Sequence, residues 1–357
     1  MPFISQIELT QFRNYGQSSF EFGERIVGIH GRNGAGKTNL LDAIYYLCFT
    51  KSYFHSGADA QHIMQGSDGF RIAGTLDGSR ITAVLREGGK KEFRMDEVPY
   101  TRLSEHIGKF PAVVIAPDDI ELITGSGEQR RRFIDTTLCQ LDSVYLQQLI
   151  QYNKILQQRN SLLRQLSNGF SNDRTLLDVF DSQLVAAGDY IHRRRKEYLK
   201  QLAELAVDKY TIIASGHETV TLAYASKLTA TPFPELLKES REKDILLQRT
   251  GSGIHRDDLL CEMEGLPFKN RASQGQRKSL LFAMKLAELS LLEADRGRPP
   301  FLLLDDVFEK LDSERMRQLL VQVCSTYTGQ VFITDTHGGR LAEALRTDGG
   351  DVQLIGI

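Results

Sequence analysis

The stretch "RIVGIHGRNGAGKTNLLDAIYYLCF", Arg25–Phe49, decides the fold. An apolar run ending at His30 leads into a glycine-rich loop, and the loop opens a helix beginning "TNLLDAIYYL". Gly31, Gly36, Lys37 and Thr38 keep the spacing of a phosphate-binding loop, with four residues between the glycines and then Lys and Thr. Each residue type has a task. The glycines let the backbone N–H groups of Gly31, Arg32, Asn33, Gly34, Ala35 and Gly36 wrap a triphosphate. Lys37 belongs against the β- and γ-phosphates, and the Thr38 hydroxyl belongs on Mg²⁺. A strand before the loop and a helix after it are the context this motif requires.

Three later stretches take their meaning from that loop. "PPFLLLDD" ends a buried strand at Asp305, a carboxylate suited to hold Mg²⁺ through water. Asp306 follows immediately, so on a continuing strand its side chain would point the opposite way. It can polarise an attacking water or simply cap the turn. "ASQGQRKSLLFAMKLAEL", Ala272–Leu289, is a polar turn at the mouth of an amphipathic helix, and such a mouth aims free N–H groups at an anion. Ser273, Gln274, Gly275 and Gln276 can therefore meet a γ-phosphate, or Ser273 can be an ordinary N-cap. "GQVFITDTHGG" is another buried strand, and which of Thr334, Asp335, Thr336 and His337 would sense a γ-phosphate stays open.

The 357 residues suffice for two domains or for one with a large insertion. With 44 basic and 46 acidic residues the net charge is -2, so any nucleic-acid binding must come from a local patch. The opening "MPFISQIELTQF" alternates like a strand, with no basic leader, and "FLLLDD" is far too short to span a membrane. Four scattered cysteines, Cys48, Cys139, Cys261 and Cys324, read as reduced buried thiols and fit the cytoplasm. Phe70–Tyr100 reads as antiparallel hairpins. From Ser143 to Asn172 there is no acidic residue, and Leu149, Leu156 and Leu163 recur every seven. A second stripe runs through Leu177, Phe180, Leu184, Ala187, Ile191, Tyr198 and Leu205. Two long helices joined by a polar loop are expected to form an antiparallel hairpin, either purely structural or an arm for DNA or a partner. The expected organisation is an α/β head in two parts, residues 1–115 and 241–357, with mixed sheets and an inserted helical-hairpin domain at 116–240.

The order of loop, polar helix mouth, carboxylate strand and "ITDTH" is that of the ATP-binding-cassette family, which the chain resembles. That resemblance implies that the helix mouth closes over ATP held by a second copy. The opening "LTQFRNYGQ" is similar to the start of structural-maintenance-of-chromosomes and Rad-fifty-like heads, where an Arg-Asn pair reaches the nucleotide; here the pair is Arg13 and Asn14. "PDDIELITGSGEQRRRFID", Pro117–Asp135, and "GIHRDDL", Gly253–Leu259, resemble the RecF family of recombination mediators, and the likeness runs through nearly the whole chain. Gly127 and Ile254 stand where that family has Pro, "FEKLD" replaces its Ser-Glu-Leu-Asp, and no glutamine-loop residue is evident near Val113–Pro117.

The RecF resemblance implies ATP and Mg²⁺ as cofactors and an ATP-dependent homodimer on double-stranded DNA. It implies action at gapped DNA with RecR and RecO, promoting RecA loading in DNA repair and replication, with slow hydrolysis as a release switch and no membrane partner. Ser273–Gln276 and Asp312 would contact the partner's nucleotide, and Asp306 with Lys37 would serve catalysis. Arg130, Arg131, Arg132, Arg193, Arg194 and Arg195 are candidates for DNA phosphates, against a plain solvated helix face. A transporter subunit would leave "FRNY" and the hairpin unexplained. A chromosome-tethering ATPase would need hundreds more coiled-coil residues.

Overall fold

The computed structural model describes residues 2–170, 174–214, 219–307, 313–346 and 352–357. The chain divides into two compact units: Met1–Ile120, Asp208–His217 and Gln274–Ile357 form the first, and Glu121–Val207 with Glu218–Ser273 form the second.

The first unit begins with β1 (Ile4–Phe12), β2 (Tyr15–Glu21), β3 (Ile26–His30) and α1 (Lys37–Phe49). Then come β4 (Phe70–Leu76), β5 (Ser79–Leu85), β6 (Lys91–Met95), β7 (Val98–Pro99) and β8 (Ala112–Ile115). Strands β2-β1-β4-β5-β6-β7 pair in that order into an antiparallel sheet, as the hairpin reading of Phe70–Tyr100 requires. The strand pattern of β1 is interrupted by a register shift between Ile4 and Gln6. The shift puts Ile4 in the core beside Ile7, Leu9 and Phe12 and leaves Ser5 exposed.

The second unit opens with α2 (Glu121–Thr124), α3 (Gly127–Leu141), α4 (Ser143–Ser167) and α5 (Thr175–Ile213), whose last turns from Asp208 fall in the first unit. It continues with β9 (Val220–Ala225), α6 (Phe233–Leu247), β10 (Asp258–Met263), β11 (Leu266–Pro267) and α7 (Phe268–Arg271). Asp142 caps α4 by accepting from the N–H groups of Val144 and Tyr145 at 2.9 and 3.0 Å. The same carboxylate accepts from the Tyr190 hydroxyl and Arg194 on α5, so one side chain starts one helix and ties down the other.

The expected helix pair is present, with a different seam on its first member. Leu149 and Leu156 are only half-buried, whereas Tyr145, Tyr152, Ile155, Leu162 and Leu163 form the buried stripe. A straight helix turns every 3.6 residues, so a strict seven-residue line drifts off the buried face. On α5 the expected Leu177, Leu184, Ala187, Ile191 and Tyr198 are buried, while Phe180 and Leu205 are half-buried.

The expected boundaries at 115 and 240 are corrected to 120 and 273. The second shift is the larger. "GIHRDDL" leads into β10, and β10 pairs along its length with β9, so the three-stranded sheet β11-β10-β9 belongs with the helices.

The first unit resumes with α8 (Gln274–Arg296), β12 (Phe301–Leu304), α9 (Ser313–Leu320), β13 (Val331–Asp335), α10 (Gly338–Arg346) and β14 (Val352–Gly356). Strands β14-β3-β13-β12-β8 form a wholly parallel sheet. Helix α1 contacts β13 of this sheet and β4 and β5 of the other, which is why every residue from Leu40 to Phe49 is buried. Ile29, Leu303 and Phe332 join that core. The carboxyl ends of β3, β12 and β13 lie side by side, the usual place for a ligand on an open parallel sheet.

Candidate nucleotide-binding site

Lys37 opens α1 and is buried, with its ammonium donating to the carbonyls of Gly31 at 2.8 Å and Arg32 at 3.1 Å. The loop therefore closes around its own cation. Gly36 has φ 118°, and a Cβ there would come within 2.7 Å of both Asn14 Nδ2 and the Tyr15 hydroxyl. Those two groups donate to the carbonyls of Ala35 at 2.9 Å and Gly36 at 3.0 Å. Asn14 in turn accepts from Asn39 Nδ2 at 2.8 Å. The "FRNY" segment thus shapes the phosphate loop from below, and only glycine at position 36 leaves room for it.

Arg13 makes its contacts elsewhere. It has φ 56°, and its Nη1 donates to the Gln61 carbonyl at 3.3 Å. Burial, reinforced by the Arg13 charge, holds His55 and His62 below the ordinary histidine range.

Asp305 is the hub of the site. Its buried carboxylate accepts from the Thr38 hydroxyl at 2.9 and 3.0 Å and from the Thr334 hydroxyl at 2.7 Å. Burial raises its pKa above the usual carboxylate range, the two hydroxyls oppose that rise, and the neighbouring Asp306 adds to it. The residues present fit Mg²⁺. A hydroxyl and a carboxylate in hydrogen-bond contact are hard oxygen ligands, and a dication would favour the charged form that burial disfavours. Among the described residues there is no cluster of three or more His, Cys, Asp or Glu able to cage a metal.

Asp306 lies beyond the end of β12 and adopts φ 48°, a left-handed conformation uncommon outside glycine. Its direction is set by that turn, which replaces the expected strand alternation. Its N–H donates to the Thr334 hydroxyl at 2.9 Å, so the Thr334 hydroxyl bridges the two aspartates. Asp335 is fully buried and accepts from the His337 N–H at 2.7 Å and from Arg340 at 2.8 and 3.0 Å. Two of the four polar groups at the end of β13, Thr334 and Asp335, are therefore committed inward. Thr336 is half-buried and His337 is exposed, with its Nδ1 2.7 Å from the Thr336 hydroxyl.

Ser273 and Gln274 are exposed where α8 begins, and Gly275 and Gln276 are half-buried. Asp312 lies outside the described residues. Farther along α8, a polar cluster escaped the sequence reading. Lys285 Nζ is 3.4 Å from the Tyr53 hydroxyl, 3.7 Å from the Glu288 carboxylate and 4.0 Å from that of Asp119. The Tyr53 hydroxyl donates to Asp119, and the Tyr53 N–H donates to Asp42 on α1 at 2.9 Å. Asp119 follows β8, the region where no glutamine was found. The available signal was a Lys and a Glu three residues apart on an otherwise apolar helix face.

The arginine triplets require correction. Arg130 is buried and bidentate to Asp258 at 2.6 and 3.0 Å. Arg195 is buried between Asp135 at 2.8 Å and Asp257 at 3.2 Å. Neither can reach DNA. Arg131 is half-buried and donates to the Asp257 carbonyl at 2.6 Å, and Arg194 pairs with Asp142 and Glu197. Only Arg132 and Arg193 are exposed, Arg193 with its guanidinium over the Tyr190 ring. Successive residues on a helix point about 100° apart, so three in a row spread over about 200° and a triplet on a packed helix must bury some of its members.

Among the described residues no helix is long and apolar enough to cross a membrane. Residues 3–350 match the RecF/RecN/SMC N terminal domain family. The chain is 40% identical over 356 residues to the DNA replication and repair protein RecF of Cytophaga hutchinsonii, covering 99% of this chain and 94% of that protein. It is 37% identical to the RecF of Phocaeicola vulgatus, covering 96% and 93%. A solved structure of the recombination mediator protein RecF-ATPrS in the RecFOR pathway superposes with TM-score 0.88 at 29% identity, covering 99% of this chain and 96% of that one. An Smc head domain from Pyrococcus furiosus, at TM-score 0.58 and 15% identity, shares the fold.

Proposed function

The chain belongs to the RecF/RecN/SMC N-terminal domain family as a DNA replication and repair protein of RecF type, and from that premise we propose that it is an ATP-timed clamp on DNA. The observation that supports this most is the Thr38–Asp305–Thr334 chain beside the Lys37 loop, which ties the start of α1 to the ends of β12 and β13. Gly31–Gly36 and Lys37 hold the phosphates. Thr38 and Asp305 hold Mg²⁺, which neutralises phosphate charge when bound. Asp306 orients and polarises the attacking water, and Thr336 or His337 reads the γ-phosphate. Asn14 sets the loop's shape, and Arg13 holds the Gln61 carbonyl.

Ser273, Gln274, Gly275, Gln276 and Asp312 of a second copy complete each site. ATP then joins two chains on duplex DNA near a single-strand gap, and slow hydrolysis separates them. RecR and RecO are the working partners and RecA loading is the outcome, in the cytoplasm. Of the arginine candidates, Arg132 and Arg193 remain available for phosphates. The test is Asp306→Asn, whose amide keeps the shape but cannot take a proton from water. With ATP, sizing should show a dimer that outlives the wild-type one, and gapped DNA should stay bound longer. A variant that hydrolyses normally, or stays monomeric in ATP, removes Asp306 from this role.

A further inference from the structure

The acid-free run from Ser143 to Asn172 finds no use in the nucleotide site. With 46 acidic residues in 357, a run of this length would carry about four. In the structure most of it is the single 25-residue helix α4, which carries no carboxylate on any face. Gln147, Gln151, Lys154, Gln158, Ser161, Gln165 and Asn168 are all exposed, and their spacing of three and four residues places them in one line. Gln157 and Arg164 are exposed beside that line. Arg159, the remaining cation of the helix, is turned inward to Asp181 and Asp244 at 2.7 and 2.8 Å and is fully buried.

All but the last of the line are uncommitted, Asn168 accepting from Gln248 Nε2 at 3.2 Å. From Gln147 to Gln165 the line makes no side-chain hydrogen bond or ion pair within the described chain, and neither do Gln157 and Arg164. Some exposed cations of the same unit are neutralised at home, as Arg174 is by Glu242 at 2.8 Å and Arg271 by Glu264. A surface selected only for solubility would mix both signs. This one offers amide, hydroxyl and cationic donors and no anion.

We propose that the outer face of α4 tracks the sugar-phosphate backbone of duplex DNA. The proposal rests on the DNA-clamp reading above and says which surface of the chain carries the duplex. Phosphate oxygens are contacted by Gln, Asn and Ser side chains as well as by Lys and Arg, and such contacts carry no sequence information. The line from Gln147 to Asn168 is about 32 Å long at 1.5 Å per residue, close to the 34 Å of one duplex turn. A carboxylate anywhere on it would repel the backbone, and the sequence supplies none. Only two of its groups are charged, so this surface positions the duplex and adds a shallow salt dependence.

The experiment uses the full chain with ATP and a fluorescent duplex, read by anisotropy. Gln151→Glu, Gln158→Glu and Gln165→Glu combined keep shape and exposure while adding three negative charges. Duplex affinity should fall at least tenfold with ATP binding unchanged. Lys154→Ala with Arg164→Ala should flatten the slope of log affinity against log salt by about 1.8, at about 0.9 per lost phosphate contact. Gln183→Glu with Gln201→Glu, exposed on α5, should change affinity less than twofold. Wild-type duplex binding that the triple variant retains overturns this inference alone. A wild-type chain that ignores duplex DNA in ATP overturns the clamp reading, and this inference with it.

Discussion

Arg195→Met separates a structural arginine from a DNA-binding one. The Arg195 side chain is 1% exposed, its Nε and Nη2 donate to Asp135 at 2.8 to 3.1 Å, and its Nη1 donates to the Ile254 carbonyl at 2.6 Å and to Asp257 at 3.2 Å. Asp257 is itself buried, and burial already raises its pKa. Methionine keeps the apolar stem but leaves both carboxylates without their cation. Breaking a buried pair from one side costs about 3–5 kcal/mol, a fifth or more of the roughly 5–15 kcal/mol that holds a domain together. Urea unfolding followed by helical circular dichroism should show the second unit melting early, with protease cleavage concentrated between Glu121 and Ser273. Duplex affinity per folded molecule should stay at the wild-type value. Arg193→Ala, at an exposed site, should do the reverse: a stability change within about 0.5 kcal/mol and weaker DNA binding. Wild-type unfolding of Arg195→Met together with lost DNA affinity would refute the assignment.

Two further outcomes follow from the first unit. His106 Nε2 lies 2.7 Å from the Leu47 carbonyl, which can only accept, so that nitrogen carries the proton and Nδ1 faces the Tyr100 hydroxyl at 3.0 Å. Burial lowers its pKa to about 4. The unfolded chain protonates first, so this contribution is complete above pH 6.5 and fades as pH falls toward 4, by about 3 kcal/mol; His106→Phe should flatten that acid limb in a melting series. Thr334→Val removes the hydroxyl that bridges Asp305 and the Asp306 N–H. It should cost about 1–3 kcal/mol of local order and slow hydrolysis more than ten-fold with nucleotide affinity nearly unchanged, measured by single turnover against equilibrium binding.

What the sequence revealed depended on how locally each feature is determined. The phosphate loop was legible because strand, glycines, Lys37 and helix are contiguous, and because Gly36 is required by its immediate geometry. The strand ends at Asp305 and Asp335 were legible as apolar runs meeting carboxylates. The role of Thr334 was not, because its hydroxyl links residues that only the β12–β13 pairing brings together. The seam of α4 was misread because Leu149 and Leu156 are as apolar as the buried Leu162, and only the position of α5 and α6 chooses between them. The arginine triplets failed for a related reason. Arg130 and Arg195 find Asp258 and Asp135 across 128 and 60 residues of chain, and a run of like charges looks the same whether or not such partners exist. The second domain boundary moved because β10 pairs with β9 rather than with the head's parallel sheet.

The most direct test of the shared ATP site mixes two inactive chains. Ser273→Arg leaves the phosphate loop intact but blocks the seam where α8 would meet the partner's nucleotide. Lys37→Ala removes the cation that the loop encloses. In a hybrid dimer one site carries both defects and the other carries neither. Steady-state ATP hydrolysis should therefore reappear in the mixture, at a rate neither variant shows alone. If cross-linking shows hybrid dimers on duplex DNA and hydrolysis stays at the level of the separate variants, the sites are not shared between copies and Ser273 is only the cap of its own helix.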